Sequence, residues 1–535
     1  MRLGLVCLAV SATVVAAAWA WLGAPEPVSQ APVAAGEKLY CLSYAPFRGS
    51  QTPLDPGTII SAAQIAAQIE DDLSRLAKIT DCVRSYSVDY GLDQIASIAA
   101  RHGLKVMQGL WLSGHDEKNR FQIETAIALA NRYPDTVRAV VVGNEVLLRG
   151  DMSATSLGDI IRAVKVQVHV PVTYADVWEF WLRNREIATA VDFVTIHILP
   201  YWEDFPIPAR HAVAHVETIR NQVVAAFPGK EVIIGEVGWP SAGRMREGAL
   251  PSPANQARVI QDVLALAARQ KFRVNVIEAF DAPWKRALEG TVGGHWGLLD
   301  AASRQAKFLW GQPVSDHPWW QWQAAGGVAF AVLVFGAAWW ARREVTPLSN
   351  WLAVTANAIA GGVLIGWTIA NLAVESLGAG GWLRSLAFAV VALLAPPVLS
   401  AAMMRGTPMP GFSHLLGPAS ERMRDPLARA IGGLLIAAMM LAILVALGLV
   451  FDPRYRDFPF APLTTAVLPL LLHSLLTSNE KGTRGTAELA GAGVLVLSVS
   501  YIVFNEGFAN WQSLWTCAVL IALAVSLAQV RAAQD

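Results

Sequence analysis

Eight apolar runs, each close to the length needed to cross a bilayer, constrain this chain of 535 residues more than any other feature. One spans 3–22, directly behind Arg2, and seven follow Trp319, at about 323–341, 351–373, 384–404, 430–450, 460–477, 487–504 and 512–530. With 54% hydrophobic and 16% charged residues, the chain is too apolar to be soluble throughout. Within lipid every backbone N–H and C=O must be satisfied inside its own segment, so each run is read as a helix. The first, in 1–34 with its linker, is read as an uncleaved anchor, with a signal segment cleaved after Ala20 or near Ala24 as the alternative; 316–535 is expected to be an all-α transmembrane domain of seven helices.

Lysine and arginine are retained on the cytoplasmic side, and here they fall in alternate loops. Arg342 and Arg343 fill one loop, Arg405, Arg422, Arg424 and Arg429 the longest, Lys481 and Arg484 the next, and Arg531 lies in the tail. The stretch 35–315 is therefore expected to face away from the cytoplasm. That makes the chain a multi-pass inner (cell) membrane protein with a periplasmic or extracytoplasmic domain, and with both termini cytoplasmic if the first segment stays uncleaved. A formal net charge of zero gives no footprint for nucleic acid. No glycine-rich phosphate loop is present, so no nucleotide or other cofactor is expected. The longest cytoplasmic loop, 404–429, is far too short for a nucleotide-sugar domain, and central charges are scarce in the apolar runs, which counts against a transport pathway.

Between 35 and 315 short apolar runs alternate with amphipathic stretches. Strands are expected at 39–45, 81–86, 104–111, 138–145, 171–176, 192–198, 231–236 and 274–281, with helical faces at Ile65, Ile69, Leu73 and Leu76 and at 153–167, 209–227 and 255–270. Eight strand-helix repeats in this length predict an α/β fold, a (β/α)8 TIM barrel, whose reactive groups gather at the C-terminal strand ends. Cys41 and Cys82 fall near the starts of neighbouring strands. A bridge is open to them in an exported domain, but packing as two small buried thiols is the favoured reading.

Two carboxylates stand at those strand ends. Glu145 closes RAVVVGNEV on the fourth strand, and Glu236 leaves the seventh in KEVIIGEVGWPSAG. One acid/base and one nucleophile or water activator are what glycosidic bond cleavage requires. Strands three apart in an eight-stranded barrel leave a gap of about 6 Å between two inward glutamates, nearer the retaining spacing than the inverting one. Asn144 is placed to meet a substrate hydroxyl beside the reacting carbon. Trp202, Trp239 and Trp284 lead a set, with Trp111, Trp178 and Trp296, that can offer flat indoles to sugar rings. His197 has no partner at a ligand spacing, so no metal is expected and an inward histidine hydrogen-bonded near the cleft is favoured. Asp176 is read as a partner of a substrate hydroxyl or of an arginine.

GNE at 143–145 and GEVGWPSAG at 235–243 resemble glycoside hydrolase family 17, β-1,3-glucan-active barrels, over about half the chain. The resemblance implies a retaining mechanism with Glu236 as nucleophile and Glu145 as acid/base. It also implies glycone-side roles for Tyr44, for Arg84 and Tyr86 in VRSY, and for Tyr201 in PYW. Phe280, Asp281, Trp284, Lys285, Glu289 and HWG at 295–297 are similar to the family's closing segment, although the interval from Lys285 to Glu289 is shorter and three glycines crowd it. The expected function is a membrane-anchored endo-1,3-β-glucanase with β-glucan and the lipid bilayer as partners. The alternatives are a glucanosyltransferase that remodels, branches or cyclises a glucan, and a non-catalytic glucan-binding subunit of a glucan synthase.

Overall fold

The computed structural model describes residues 2–416, 423–477 and 485–530. Arg422, Lys481, Arg484 and Arg531, four of the charges behind the expected orientation, lie outside them. The chain divides into two compact units, one made of Pro25–Ala242 and Gly248–Val314, the other of Met1–Ala24, Gly243–Glu247 and Ser315–Asp535.

The first unit is a closed barrel of parallel strands in sequence order. The strands are β1 (Cys41–Ser43), β2 (Cys82–Arg84), β3 (Lys105–Leu110), β4 (Val137–Asn144), β5 (Val172–Val177), β6 (Val194–His197), β7 (Val232–Val237) and β8 (Val274–Val276). Helices cover its outside. Ile65, Ile69, Leu73 and Leu76, the face expected from their spacing, are all fully buried on helix Ala62–Leu76, which starts in a capping box between Ser61 and Gln64. The other three expected faces become helices Ala154–Lys165, Ala209–Ala226 and Pro253–Gln270. Ser153 and Ser252 cap the first and last of these by accepting backbone N–H bonds. Inside, one layer is apolar, with Met107, Val141, Ala175 and Ile233 around Cys41 and Cys82.

Two expectations change. The regular β8 ladder stops at Val276 rather than continuing to 281, because the chain beyond it pairs partly with 296–299 instead. Leu298 N–H donates to Glu278 O (2.8 Å) and Asp281 N–H to Leu299 O (2.9 Å). Cys41 and Cys82 are not two packed thiols but a disulfide, with Cα atoms 4.3 Å apart. The pairing of Leu42 with Val83 sets the two cysteines side by side on adjacent strands, and strand alternation turns both side chains inward. The bond closes a loop of 41 residues. A Cys41→Ala, Cys82→Ala variant is therefore expected to lose about 4 kcal/mol of barrel stability, read from denaturant unfolding and reproduced in the native chain by a reductant.

The second unit is helical. Eight of its helices among the described residues are long and apolar enough to cross a membrane, from Arg2–Leu22 and Trp320–Ala341 through to Trp511–Gln529. Small residues let three of them approach closely. A Cβ on Gly327 would lie 2.1 Å from Gly362 O and 2.8 Å from Val15 of the first helix. Trp19, fully buried, meets the ring of His317 edge-on at 5.3 Å, so Arg2–Leu22 is an integral part of this bundle.

Candidate active site

The barrel's C-terminal rim gathers the two glutamates. β7 carries Glu236, almost fully buried. The glycine before it is required: a Cβ on Gly235 would stand 2.4 Å from Thr195 Cγ2 and 3.2 Å from His197 Cδ2, both on β6. β4 ends at Asn144, and the GNE turn then passes through left-handed conformations at Gly143 (φ 88°) and Glu145 (φ 53°). That conformation is rare for a side chain with a Cβ and concentrates at functional sites. The Glu145 backbone is held in it from both sides. Its N–H donates to Ala175 O at 2.8 Å, and its carbonyl accepts from Arg149 N–H at 2.9 Å.

One oxygen of each carboxylate and a ring nitrogen of His197 all lie within 4.8 Å of one another. Arg84, wholly buried at the end of β2, organises the floor beneath them. Its Nη1 donates to Gly235 O (2.7 Å) and Glu236 Oε1 (3.3 Å), and its Nη2 donates to Asn144 Oδ1 (2.5 Å). Tyr86 O–H donates to Glu236 Oε1 at 2.8 Å and accepts from Ser43 Oγ at 2.6 Å. Burial and the neighbouring Glu236 hold the Tyr86 phenol well above its ordinary range, so it stays a donor. His197 Nδ1 reaches Glu145 Oε1 at 2.8 Å. Burial pushes the Glu145 carboxyl up, but the His197 hydrogen bond and the charges of Arg84 and Arg149 outweigh it, leaving Glu145 below the usual carboxylate range.

A second cluster lies alongside. Lys285 Nζ donates to Glu278 Oε2 at 2.8 Å, and Lys285 sits 5.7 Å from the centre of the Trp284 ring. Burial raises Glu278 to about 7 despite that lysine. Glu289 is raised by burial as well, against Lys285, and it feels the negative charge of Glu145 and Glu236. Lys285 and Glu289 thus belong to the electrostatic neighbourhood of the pair. Glu278 was missed by sequence reasoning; the signal was an acid inside the apolar run VNVIEAF.

The aromatic expectations divide. Trp202 and Trp284 are partly exposed. Trp239 and Tyr201 are not: both are fully buried, Trp239 donating from Nε1 to Leu250 O at 3.0 Å, and Tyr201 packed edge-on against Trp202, Trp239 and Trp296. They stiffen the wall rather than offering a ring face. Phe280 is buried under the Arg304 guanidinium, and Tyr44 donates its hydroxyl to Asp72 at 3.0 Å in a buried cluster with Arg48. Asp176 forms no ion pair with an arginine among the described residues. It accepts from the Tyr174 hydroxyl and from backbone N–H groups of Leu148 and Val177, and burial raises it to about 6. Arg149, also missed, ties the turn after Glu145 to Asn144 O and Leu112 O and lies over Trp111.

A closed (β/α)8 barrel with two glutamates facing each other at its C-terminal rim defines the class of the barrel glycoside hydrolases. Residues 41–297, just under half of the chain, match the BtgE/BtgC glycoside hydrolase domain. Among similar proteins, the probable beta-glucosidase btgE of Aspergillus flavus is 30% identical over 227 residues, which is 41% of this chain and 36% of that protein. The glucan 1,3-beta-glucosidase of Candida albicans is 27% identical over 255 residues, 43% of this chain and 82% of the relative. Among solved structures, a beta-1,3-glucanosyltransferase of Rhizomucor miehei with laminaritriose is 25% identical with a TM-score of 0.44, covering 52% of this chain and 97% of that one. The chain spans just over a third of the Aspergillus relative's length.

Proposed function

We propose that the chain is a membrane-anchored enzyme that cleaves β-1,3-glucan by double displacement. The observation that carries this reading is the carboxylate separation, within 4.8 Å between the nearest oxygens, which suits a direct attack on carbon and leaves no room for an intervening water. In the first half Glu236 bonds to the anomeric carbon while the glycosidic C–O bond breaks, and Glu145 gives its proton to the leaving oxygen. In the second, Glu145 takes a proton from an incoming hydroxyl, whose oxygen bonds to the same carbon as the Glu236 ester bond breaks. Asn144, whose Oδ1 is engaged by Arg84, offers its amide N–H groups to the neighbouring sugar hydroxyl. Trp202 and Trp284 take the sugar faces; Lys285 and Glu289 set the field around them.

The substrate class follows the glucan 1,3-beta-glucosidase relative. Anchoring rests on the eight apolar helices, and export on the charge pattern of the loops together with a disulfide, which persists in oxidising compartments. The test is product analysis on laminari-oligosaccharides by NMR and chromatography. Shorter chains released first as the β-anomer are expected. Initial α-anomer would overturn the double displacement, and chains longer than the input would replace water by glucan as the acceptor, making the protein a glucanosyltransferase.

A further inference from the structure

His197 ends β6 between the two glutamates, and neither glutamate motif contains it. Its Nε2 is 3.4 Å from Arg84 Nη1 and 3.6 Å from Glu236 Oε1, and its Nδ1 is 2.8 Å from Glu145 Oε1. An ionised carboxylate only accepts, so Nδ1, 2.8 Å from Glu145 Oε1, carries a proton. That N–H points at Glu145. The ring is buried, and the charged groups that face it are Arg84 from β2, Glu145 beyond β4, Asp176 from β5 and Glu236 from β7. Gly235 supplies the space for it, since any larger residue would strike the imidazole and Thr195.

We propose that His197 is a positioning residue that strengthens Glu145 as the acid of the first half of the reaction, in which Glu145 gives its proton to the leaving oxygen. This rests on the double displacement described above. An N–H donor stabilises a carboxylate more than a carboxylic acid. It therefore favours the step in which Glu145 gives its proton to the leaving oxygen as the glycosidic C–O bond breaks and Glu236 bonds to the anomeric carbon. It opposes the return step in which Glu145 takes up the acceptor's proton, and it narrows the pH range over which Glu145 arrives protonated. The depressed proton affinity of Glu145 agrees with this assignment.

The experiment compares His197→Leu, which removes the donor, with His197→Asn, whose side-chain amide restores one near the Nδ1 position, in the full-length protein with an aryl β-laminaribioside and with laminari-oligosaccharides. In the Leu variant the alkaline limb of kcat/KM, which reports protonated Glu145, is expected to move up by about one pH unit. Its kcat/KM on laminari-oligosaccharides, whose leaving oxygen needs the acid, is expected to fall about threefold at pH values below that limb, with a smaller fall on the aryl substrate. The Asn variant should recover both. A folded Leu variant with an unmoved limb, or an Asn variant no better than Leu, overturns the proposal. If thermal unfolding shows that Leu does not fold, His197→Gln, which sets its amide at the Nε2 position, takes its place with the same expected shift. Failure of the underlying reading looks different: Glu145→Ala would then keep the wild-type rate and the wild-type alkaline limb.

Discussion

Glu236→Ala is expected to lower kcat/KM by on the order of 10⁴-fold or more, the largest effect of any single substitution here, because in the proposed double displacement it removes the atom that bonds to carbon. The surroundings of Glu236 are built for that task. Its Oε1 receives hydrogen bonds from Tyr86 and Arg84, which fix the carboxylate in place, and burial keeps water from competing. Alanine leaves a hollow of about a carboxyl group at the rim without disturbing β7, so the variant should fold. Added azide then distinguishes the two glutamates. With Glu236→Ala it should enter from the vacated face and give the α-glycosyl azide, whereas with Glu145→Ala it should intercept the glycosyl-enzyme and give the β-glycosyl azide. A Glu236→Ala protein with undiminished activity would end the assignment.

Arg84→Leu is expected to cost about 3–5 kcal/mol of stability and most of the activity together. The side chain is wholly buried, and its fork ties three strands: Gly235 O and Glu236 on β7, and Asn144 at the end of β4, all from β2. Leucine would leave the Glu236 carboxylate without its cation and Asn144 Oδ1 without its donor, while Gly235 O keeps the hydrogen bond from Asn275 Nδ2; the stranded charge is more damaging than exchanging a whole ion pair for apolar groups. Lysine keeps the charge but cannot serve Asn144 and Glu236 at once. Arg84→Lys should therefore retain more of the folding free energy, by denaturant unfolding, than of kcat/KM. Equal recovery of both would show that the fork geometry is irrelevant and only the charge matters.

Much of the site was legible because strand ends of a barrel are few and chemically conspicuous. Glu145, Glu236, Asn144, Arg84 and Tyr86 all meet where the strand-helix alternation predicts. The misreadings share a cause. An indole or phenol beside a strand end looks the same in sequence whether its ring faces a cleft or a neighbouring aromatic, and Trp239 and Tyr201 proved to be mutual packing partners. Tyr44 was drawn away by Asp72, an acid on a helical face that also carries Ile69, Leu73 and Leu76. Glu278 was hidden within a run taken for regular strand, and Arg149 has no motif at all, since it acts through backbone carbonyls.

Local chemistry by itself determined the helical runs, the order of strands and helices, and the two carboxylates at strand ends, because hydropathy period and segment length depend only on near neighbours along the chain. Register decided the rest. Whether Cys41 meets Cys82, and whether His197 falls between Glu145 and Glu236, depends on how residues about forty to fifty positions apart align across the barrel. A shift of one residue between paired strands turns every side chain to the opposite face, and it is the closed packing of all eight strands, rather than any one segment, that selects the alignment.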